Sequence, residues 1–234
     1  MTPDAAAGAP RGYFIVGTDT GVGKTLVACA LLHAFARAGK RTIGMKPVAA
    51  GASRCDAGPL LNEDVAQLRA ASSVTCSLDL INPYCFAPAI APHIAAAQAG
   101  IEIDLKRVAT AYTALAAQAD TVIVEGVGGF CVPLTRDEDA ADLACGLGLP
   151  LILVVGVRLG CLNHAILTAQ AIRGRGLQLA GWIANRIDPV MPVAAENIAA
   201  LASRLAAPLL GEFAFMAAPD PRRLAAQLDL SLLC

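Results

Sequence analysis

The chain has 234 residues and a formal net charge of −1, with 56% of its residues apolar and 16% charged. That length suits one large α/β domain or two small ones. The charge balance lacks the basic excess expected of a nucleic-acid binder. The longest apolar stretch, 149–157, contains Pro150 and Gly156, stops at Arg158 and is too short to span a bilayer. Eight cysteines, at 29, 55, 76, 85, 131, 145, 161 and 234, form no C-x-x-C pair, and three histidines give a zinc site little support. Several cysteines sit inside apolar segments, as small buried hydrophobes do. Residues 1–10 have neither a basic start nor a leucine-rich core. Reduced thiols and a cytoplasmic location are therefore expected, with no membrane or nucleic-acid partner. Residues 1–10 are expected to form a disordered tail ahead of a single domain over 11–234.

In chain order, 12–17 reads as a strand and 24–38 as a helix with Gly39 as its C-cap. A second strand spans 41–48, where Pro47 biases Lys46 away from helix and marks a strand end. Residues 49–61 read as a surface loop, and Asn62-Glu63-Asp64 opens a short helix whose acids suit its positive end. The stretch 82–93 is broken by three prolines and reads as irregular. A helix follows at 104–118, then a strand at 120–125 that is β-branched through Thr121-Val122-Ile123-Val124. The remaining pattern is strand 149–156, helix 160–173, strand 180–185, helix 193–205, strand 209–213 and a helical tail from Pro219. Strands alternating with helices, several of them continuous apolar runs, predict one doubly wound α/β domain. Its mostly parallel sheet is covered on both faces, with ligands at the carboxyl ends of the strands.

Polar residues collect at those ends. After the first strand comes Gly17-Thr18-Asp19-Thr20-Gly21-Val22-Gly23-Lys24-Thr25, a glycine-rich turn running into a helix. Glycines let backbone N–H groups approach anionic oxygens, and the helix start adds unsatisfied donors and partial positive charge. Lys24 suits the β/γ-phosphates and the Thr25 hydroxyl suits Mg²⁺. The strict phosphate-loop pattern places its first glycine at the Thr18 position, whereas Gly17 lies one residue earlier. A nucleoside triphosphate with Mg²⁺ is the expected ligand.

The second strand ends in Lys46, an unusual place for a surface charge; beside a γ-phosphate it would act as a point charge on developing anions. The third ends in Glu125-Gly126-Val127-Gly128-Gly129, where Glu125 is a candidate Mg²⁺ carboxylate. Asp64 is a candidate second carboxylate, although taken alone a helix-start acid is its simpler reading. A later strand ends in Asn185-Arg186. His33 reads as a core or surface residue, and capping or packing is the simpler reading of His93 and His164.

These residues resemble the dethiobiotin synthetase family. The resemblance rests on the phosphate loop, Lys46-Pro47-Val48-Ala49-Ala50-Gly51, Asn82-Pro83-Tyr84 and Ala91-Pro92-His93-Ile94. It continues through Val124-Glu125-Gly126-Val127-Gly128-Gly129, Val155-Gly156-Val157-Arg158-Leu159-Gly160-Cys161-Leu162-Asn163-His164, Gly181-Trp182-Ile183-Ala184-Asn185 and Pro208-Leu209-Leu210-Gly211-Glu212, covering about 12–216. It implies an ATP- and Mg²⁺-dependent carboxylation and ring closure of 7,8-diaminononanoate by a cytoplasmic homodimer. It further implies that Lys24 and Lys46 are catalytic, that Thr25, Asp64 and Glu125 hold the metal, and that Gly21, Val22, Gly23, Lys24, Thr25 and Leu26 hold nucleotide. Gly126, Val127 and Gly128 would line the phosphate region; Asn185, Arg186, Ala214, Phe215 and Met216 would hold the base. Thr20, Lys46 and Ala50 would touch substrate, and Gly160, Cys161, Leu162 and Asn163 would reach the partner's substrate carboxylate. Two positions depart from the family's best-known form: Ala50 replaces a serine, and Gly21 stands where some relatives carry glutamate.

Two other readings share the fold. A cobyrinate-type amidoligase would need a glutaminase half for which 234 residues leave no room, so only a stand-alone ligase fits. A partitioning ATPase would carry its signature lysine five residues before Lys24, where this chain has Asp19.

Overall fold

The computed structural model describes residues 12–54 and 58–233; the expected tail at 1–10 lies outside them. At its centre is β1 (Gly12–Gly17), buried throughout. Its side chains alternate between two cores: Phe14 and Val16 face one, Tyr13 and Ile15 the other. Helix α1 (Lys24–Arg37) follows and leads to β2 (Thr42–Met45). Next come the short strands β3 (Val48–Ala50), β4 (Ser53–Arg54) and β5 (Leu60–Leu61). Helices α2 (Glu63–Ala71) and α3 (Leu78–Ile81), strand β6 (Tyr84–Phe86) and helices α4 (Pro92–Gln98) and α5 (Leu105–Ala116) precede β7 (Thr121–Glu125). The second half runs α6 (Ala140–Leu147), β8 (Leu151–Val157), α7 (Cys161–Gly174), β9 (Leu179–Arg186), α8 (Ala194–Ala202), β10 (Leu209–Phe213) and α9 (Pro221–Leu224). Short 3₁₀ turns at Ala225–Gln227 and Leu230–Leu232 finish the described chain.

Six strands form one sheet in the order β10-β9-β8-β1-β7-β2. Every neighbouring pair is parallel. One face packs α1, α2 and α9 through Leu31, Leu32, Leu68 and Leu224. The other packs α5, α6, α7 and α8 through Val108, Leu115, Leu143, Ile172 and Ile198. Coverage on both sides explains why the strands read as unbroken apolar runs. Gly44 on β2 admits α1 and α2 closely: a Cβ there would come within 3.0 Å of both the Leu32 and Leu68 side chains.

Several local expectations are corrected. The strand expected over 41–48 stops at Met45, and Val48–Ala50 leaves the main sheet to pair in parallel with β6. Pro47 has no N–H to continue a ladder. The preceding backbone is locked instead: Lys46 N–H donates to the Ile81 carbonyl at 2.8 Å, and Asn82 Nδ2 donates to the Lys46 and Tyr84 carbonyls at 2.6 and 2.9 Å. The expected loop at 49–61 contains the β4–β5 antiparallel pair. The expected irregular run to residue 93 already holds β6 and the start of α4, where Pro92 sits in the first turn and costs no hydrogen bond. Helix α6, absent from the sequence reading, starts with a reciprocal capping box between Asp139 and Asp142.

Phe14 is fully buried on the central strand. Phe14→Ala should cost about 3–5 kcal/mol, the range for deleting a core aromatic ring. Urea denaturation should show a lower midpoint with an unchanged m-value.

Candidate active site

The carboxyl ends of β1, β2 and β7 meet at one rim of the sheet. The loop after β1 turns through Gly21 and Gly23, both in the left-handed region at φ 75° and 91°. Gly23 is also squeezed: a Cβ there would lie 2.3 Å from Asn185 Nδ2. It occupies the N-cap of α1, which has no side-chain cap, so the helix's first N–H groups stay open to an anion. Lys24 bends back over the loop and donates to the Asp19 carbonyl at 2.9 Å. The Asp19 carboxylate accepts from Thr20 N–H at 2.7 Å and pairs with Arg158 at 2.6 Å.

The charged centre lies beside this loop. Lys46 is 4% exposed and donates to Glu125 Oε1 at 2.5 Å, Asp64 Oδ2 at 3.0 Å and the Gly126 carbonyl at 3.3 Å. The Thr25 hydroxyl donates to the same Glu125 oxygen at 2.9 Å. Asp64 is set by Asn62, whose side chain caps α2 at the Asp64 N–H and also donates to the Ala50 carbonyl at 3.0 Å.

Burial pulls Lys24 down to about 8; Lys46 adds to that, while Glu125, Asp64 and Asp19 oppose it. Burial also works against the Lys46 ammonium, but Glu125 and Asp64 more than offset it and hold Lys46 above its ordinary value. Burial pushes Glu125 up against the pull of Lys46. Asp64 is held below the usual carboxylate range because Lys46 outweighs its partial burial. Lys46 is thus a protonated cation at neutral pH.

Among the described residues, no group of three or more His, Cys, Asp and Glu side chains could hold a metal. The donor set is instead one hydroxyl and two carboxylates, which suits Mg²⁺ because that ion takes few protein ligands and fills its shell with phosphate oxygens and water. Glu125 Oε2 is buried without a hydrogen-bond partner among the described residues, an orphaned acceptor of the kind a cation would satisfy.

Two cavities meet at Gly23. The larger, about 710 Å³, is lined by Thr20, Gly21, Gly23, Lys24, Thr25, Lys46, Ala50, Asp64, Glu125, Val127 and Gly128. Its far wall is Ala89, Ile90, Ala91, Pro92 and Val132, none of which the sequence reading assigned to the site. The smaller, about 260 Å³, is lined by Gly23, Leu26, Asn185, Arg186, Ile187, Ala214, Phe215, Met216 and Pro219. Asn185 Nδ2 donates to the Val22 carbonyl at 2.9 Å, and Arg186 pairs with Glu212. Val22 and Gly126 are buried and take part through their carbonyls. Gly160, Cys161, Leu162 and Asn163 line neither cavity; they begin α7, with Cys161 buried and Gly160 and Asn163 exposed. The Ala91-Pro92 wall and Asn82 were visible in the sequence as an irregular, proline-broken run and as parts of the family likeness, and Asn62 only as the opening of a short helix.

A family model described as an AAA domain matches residues 11–221. The ATP-dependent dethiobiotin synthetase BioD of Aromatoleum aromaticum is 62% identical over 221 residues, covering 94% of this chain and 98% of its own length. The protein of the same name from Nitrosospira multiformis is 55% identical over 224 residues, covering 96% and 97%. Solved structures share the fold at low identity. A MinD cell division protein from Aquifex aeolicus has a TM-score of 0.56 at 16% identity, covering 88% of this chain and 83% of its own. A ParA family ATPase from Chlorobium tepidum has a TM-score of 0.52 at 18% identity, covering 89% and 86%. The likeness to MinD and ParA extends to the fold alone, whereas the full-length identity to the synthetases decides membership: the chain belongs to the ATP-dependent dethiobiotin synthetase family.

Proposed function

We propose that the chain carboxylates 7,8-diaminononanoate with CO₂ and closes the cyclic urea of dethiobiotin, converting ATP to ADP and phosphate. The observation that carries this reading is the pair of buried ammonium groups, Lys24 and Lys46, facing one cleft beside two carboxylates and a helix N-terminus. One amine of the substrate takes up CO₂ as a carbamate. A carbamate oxygen attacks the γ-phosphorus of ATP and ADP leaves. The second amine then attacks the activated carbonyl, phosphate departs and the ring closes. Carbamate and triphosphate repel each other, so their approach needs cations between them. Lys46 aligns the carbamate and steadies charge on the transferring group; Lys24 holds the β/γ-phosphates. Thr25, Asp64 and Glu125 are the residues that would hold Mg²⁺, which when bound neutralises the phosphate oxygens.

The nucleotide would thread from one cavity to the other. Its phosphates would lie on the backbone from Gly21 to Thr25 and its base between Leu26, Asn185 and the 214–216 segment, with Arg186 at the edge. Thr20 and Ala50 would touch the diamine end, and the apolar wall of Ala89, Ile90, Pro92 and Val132 suits its methylene chain. The enzyme would act as a homodimer, with the Gly160–Asn163 segment reaching the partner's substrate carboxylate. Exposed Leu159, at 91%, and exposed Leu167 on the same helix–loop unit support a covered face there. Among the described residues no helix is long and apolar enough to cross a membrane. The described cysteines 29, 76, 85, 131, 145 and 161 are free, in keeping with a reducing cytoplasm.

Purified chain supplied with Mg-ATP, bicarbonate and diaminononanoate should yield a product with the mass of the cyclic urea, and ATP turnover should require both co-substrates. Diamine-independent ATPase activity with no such product would refute the reading.

Lys46→Ala should keep the fold and most nucleotide affinity but lower kcat by about 10²–10³-fold or more, the scale of a lost charge-stabilising group. Near-normal turnover would remove Lys46 from the chemistry.

Lys24 supplies a pH signature. In the free protein its pKa is lowered to about 8, and a nearby anionic triphosphate would raise it again on binding. Nucleotide affinity should therefore be full below pH 8 and fall by up to about tenfold per unit above it. Calorimetry at pH 8 in buffers of different ionisation heat should show proton uptake, and Lys24→Arg, which stays charged, should abolish it. A flat affinity profile from neutral to alkaline pH would contradict this assignment.

A further inference from the structure

An ammonium has three N–H donors and no acceptor. At Lys46 all three are spent on protein: Asp64 Oδ2 at 3.0 Å, Glu125 Oε1 at 2.5 Å and the Gly126 carbonyl at 3.3 Å. No donor is left for a substrate anion, although the group borders the cleft that would bind one. Glu125 is unevenly used. Its Oε1 takes both the Lys46 ammonium and the Thr25 hydroxyl, while buried Oε2 has no partner among the described residues. The unpartnered Oε2 gives a divalent cation a point of entry, but that cation and the Lys46 ammonium on one buried carboxylate would repel each other strongly.

We infer that Lys46 and a divalent cation are alternative occupants of the Asp64–Glu125 carboxylate pair, so that arrival of the metal frees two of the three Lys46 donors for the anionic substrate. This rests on the proposed metal role of Asp64 and Glu125. No proton moves in the exchange: the ammonium stays charged, gives up two carboxylate bonds and turns toward the cleft. A buried ammonium without partners is costly, so the exchange completes only when an anion is there to receive it. Metal alone binds weakly, and metal with nucleotide binds cooperatively. The coupling is reciprocal between the two ligands. The lysine is thereby withheld until the cleft is charged.

The test uses the nucleotide-free full chain and Mn²⁺, with free Mn²⁺ followed by electron paramagnetic resonance. Lys46→Met should bind Mn²⁺ at least about tenfold tighter than wild type, the shift given by one lost competing contact of 1.4 kcal/mol. Lys24→Met is the control for charge acting only through space, because Lys24 bonds the Asp19 carbonyl and neither carboxylate. Its effect should be much smaller. Equal tightening in the two variants, or none in Lys46→Met, overturns the inference. Glu125→Gln separates the two levels: Mn²⁺ binding that survives it refutes the metal assignment and the inference together, whereas its loss beside an unchanged Lys46→Met affinity refutes the inference alone. A second readout needs no altered site. Burial and three hydrogen bonds should slow exchange of the Lys46 ammonium enough to give a ¹H–¹⁵N signal in wild type; that signal, assigned by its absence in Lys46→Met, should move or vanish at the Mg²⁺ concentration that displaces Mn²⁺. A signal unchanged there shows that the lysine shares the carboxylates rather than yielding them, and the exchange is wrong.

Discussion

The structure depends on a buried charge cluster placed at the end of an otherwise apolar sheet. Lys46 and Glu125 are both nearly inaccessible, and their bond at 2.5 Å is held from several directions at once. Taking two such ions out of water costs several kcal/mol each, roughly, and that cost is offset only by good geometry and further hydrogen bonds. The surrounding fold supplies them. β7 delivers Glu125, Asn82 and Ile81 lock the Lys46 backbone, Asn62 fixes the first turn of α2, and Thr25 arrives from α1. The cluster is therefore a statement about function more than stability, since a hydrophobic replacement of similar volume would be the cheaper way to fill that space.

How much of this was legible in the sequence depends on the range of the signal. Glycines between an apolar strand and a helix, a lysine fixed before Pro47 and an acid after four β-branched or apolar residues are local statements, and they pointed to the phosphate loop, Lys46 and Glu125. The β3–β6 pairing joins two three-residue segments more than thirty positions apart, and neither is long enough to show a period. The three prolines of 82–93 read as breakers, but Pro92 occupies a helix's first turn, where its missing N–H does no harm. That misreading hid the apolar wall formed by the loop leading into α4. Helix α6 did carry a signal in Asp139 and Asp142, but its short length, the internal Gly146 and the C-cap Gly148 obscured it.

The structural likeness to MinD and ParA proteins shows how little the scaffold says about the reaction. The same fold serves proteins with different names and low identity to this chain. In this chain the residue five positions before the loop lysine is Asp19, whose carboxylate pairs with Arg158.

Gly23 is the residue at which the two cavities join. It lines both, and the Asn185 amide lies so close that an added Cβ would come within 2.3 Å of it. If the nucleotide threads through both cavities as proposed, its head and tail would be read against a single shared wall. Remodelling one cavity through Asn185 would then disturb the other as well, so base preference and phosphate grip would drift only in concert.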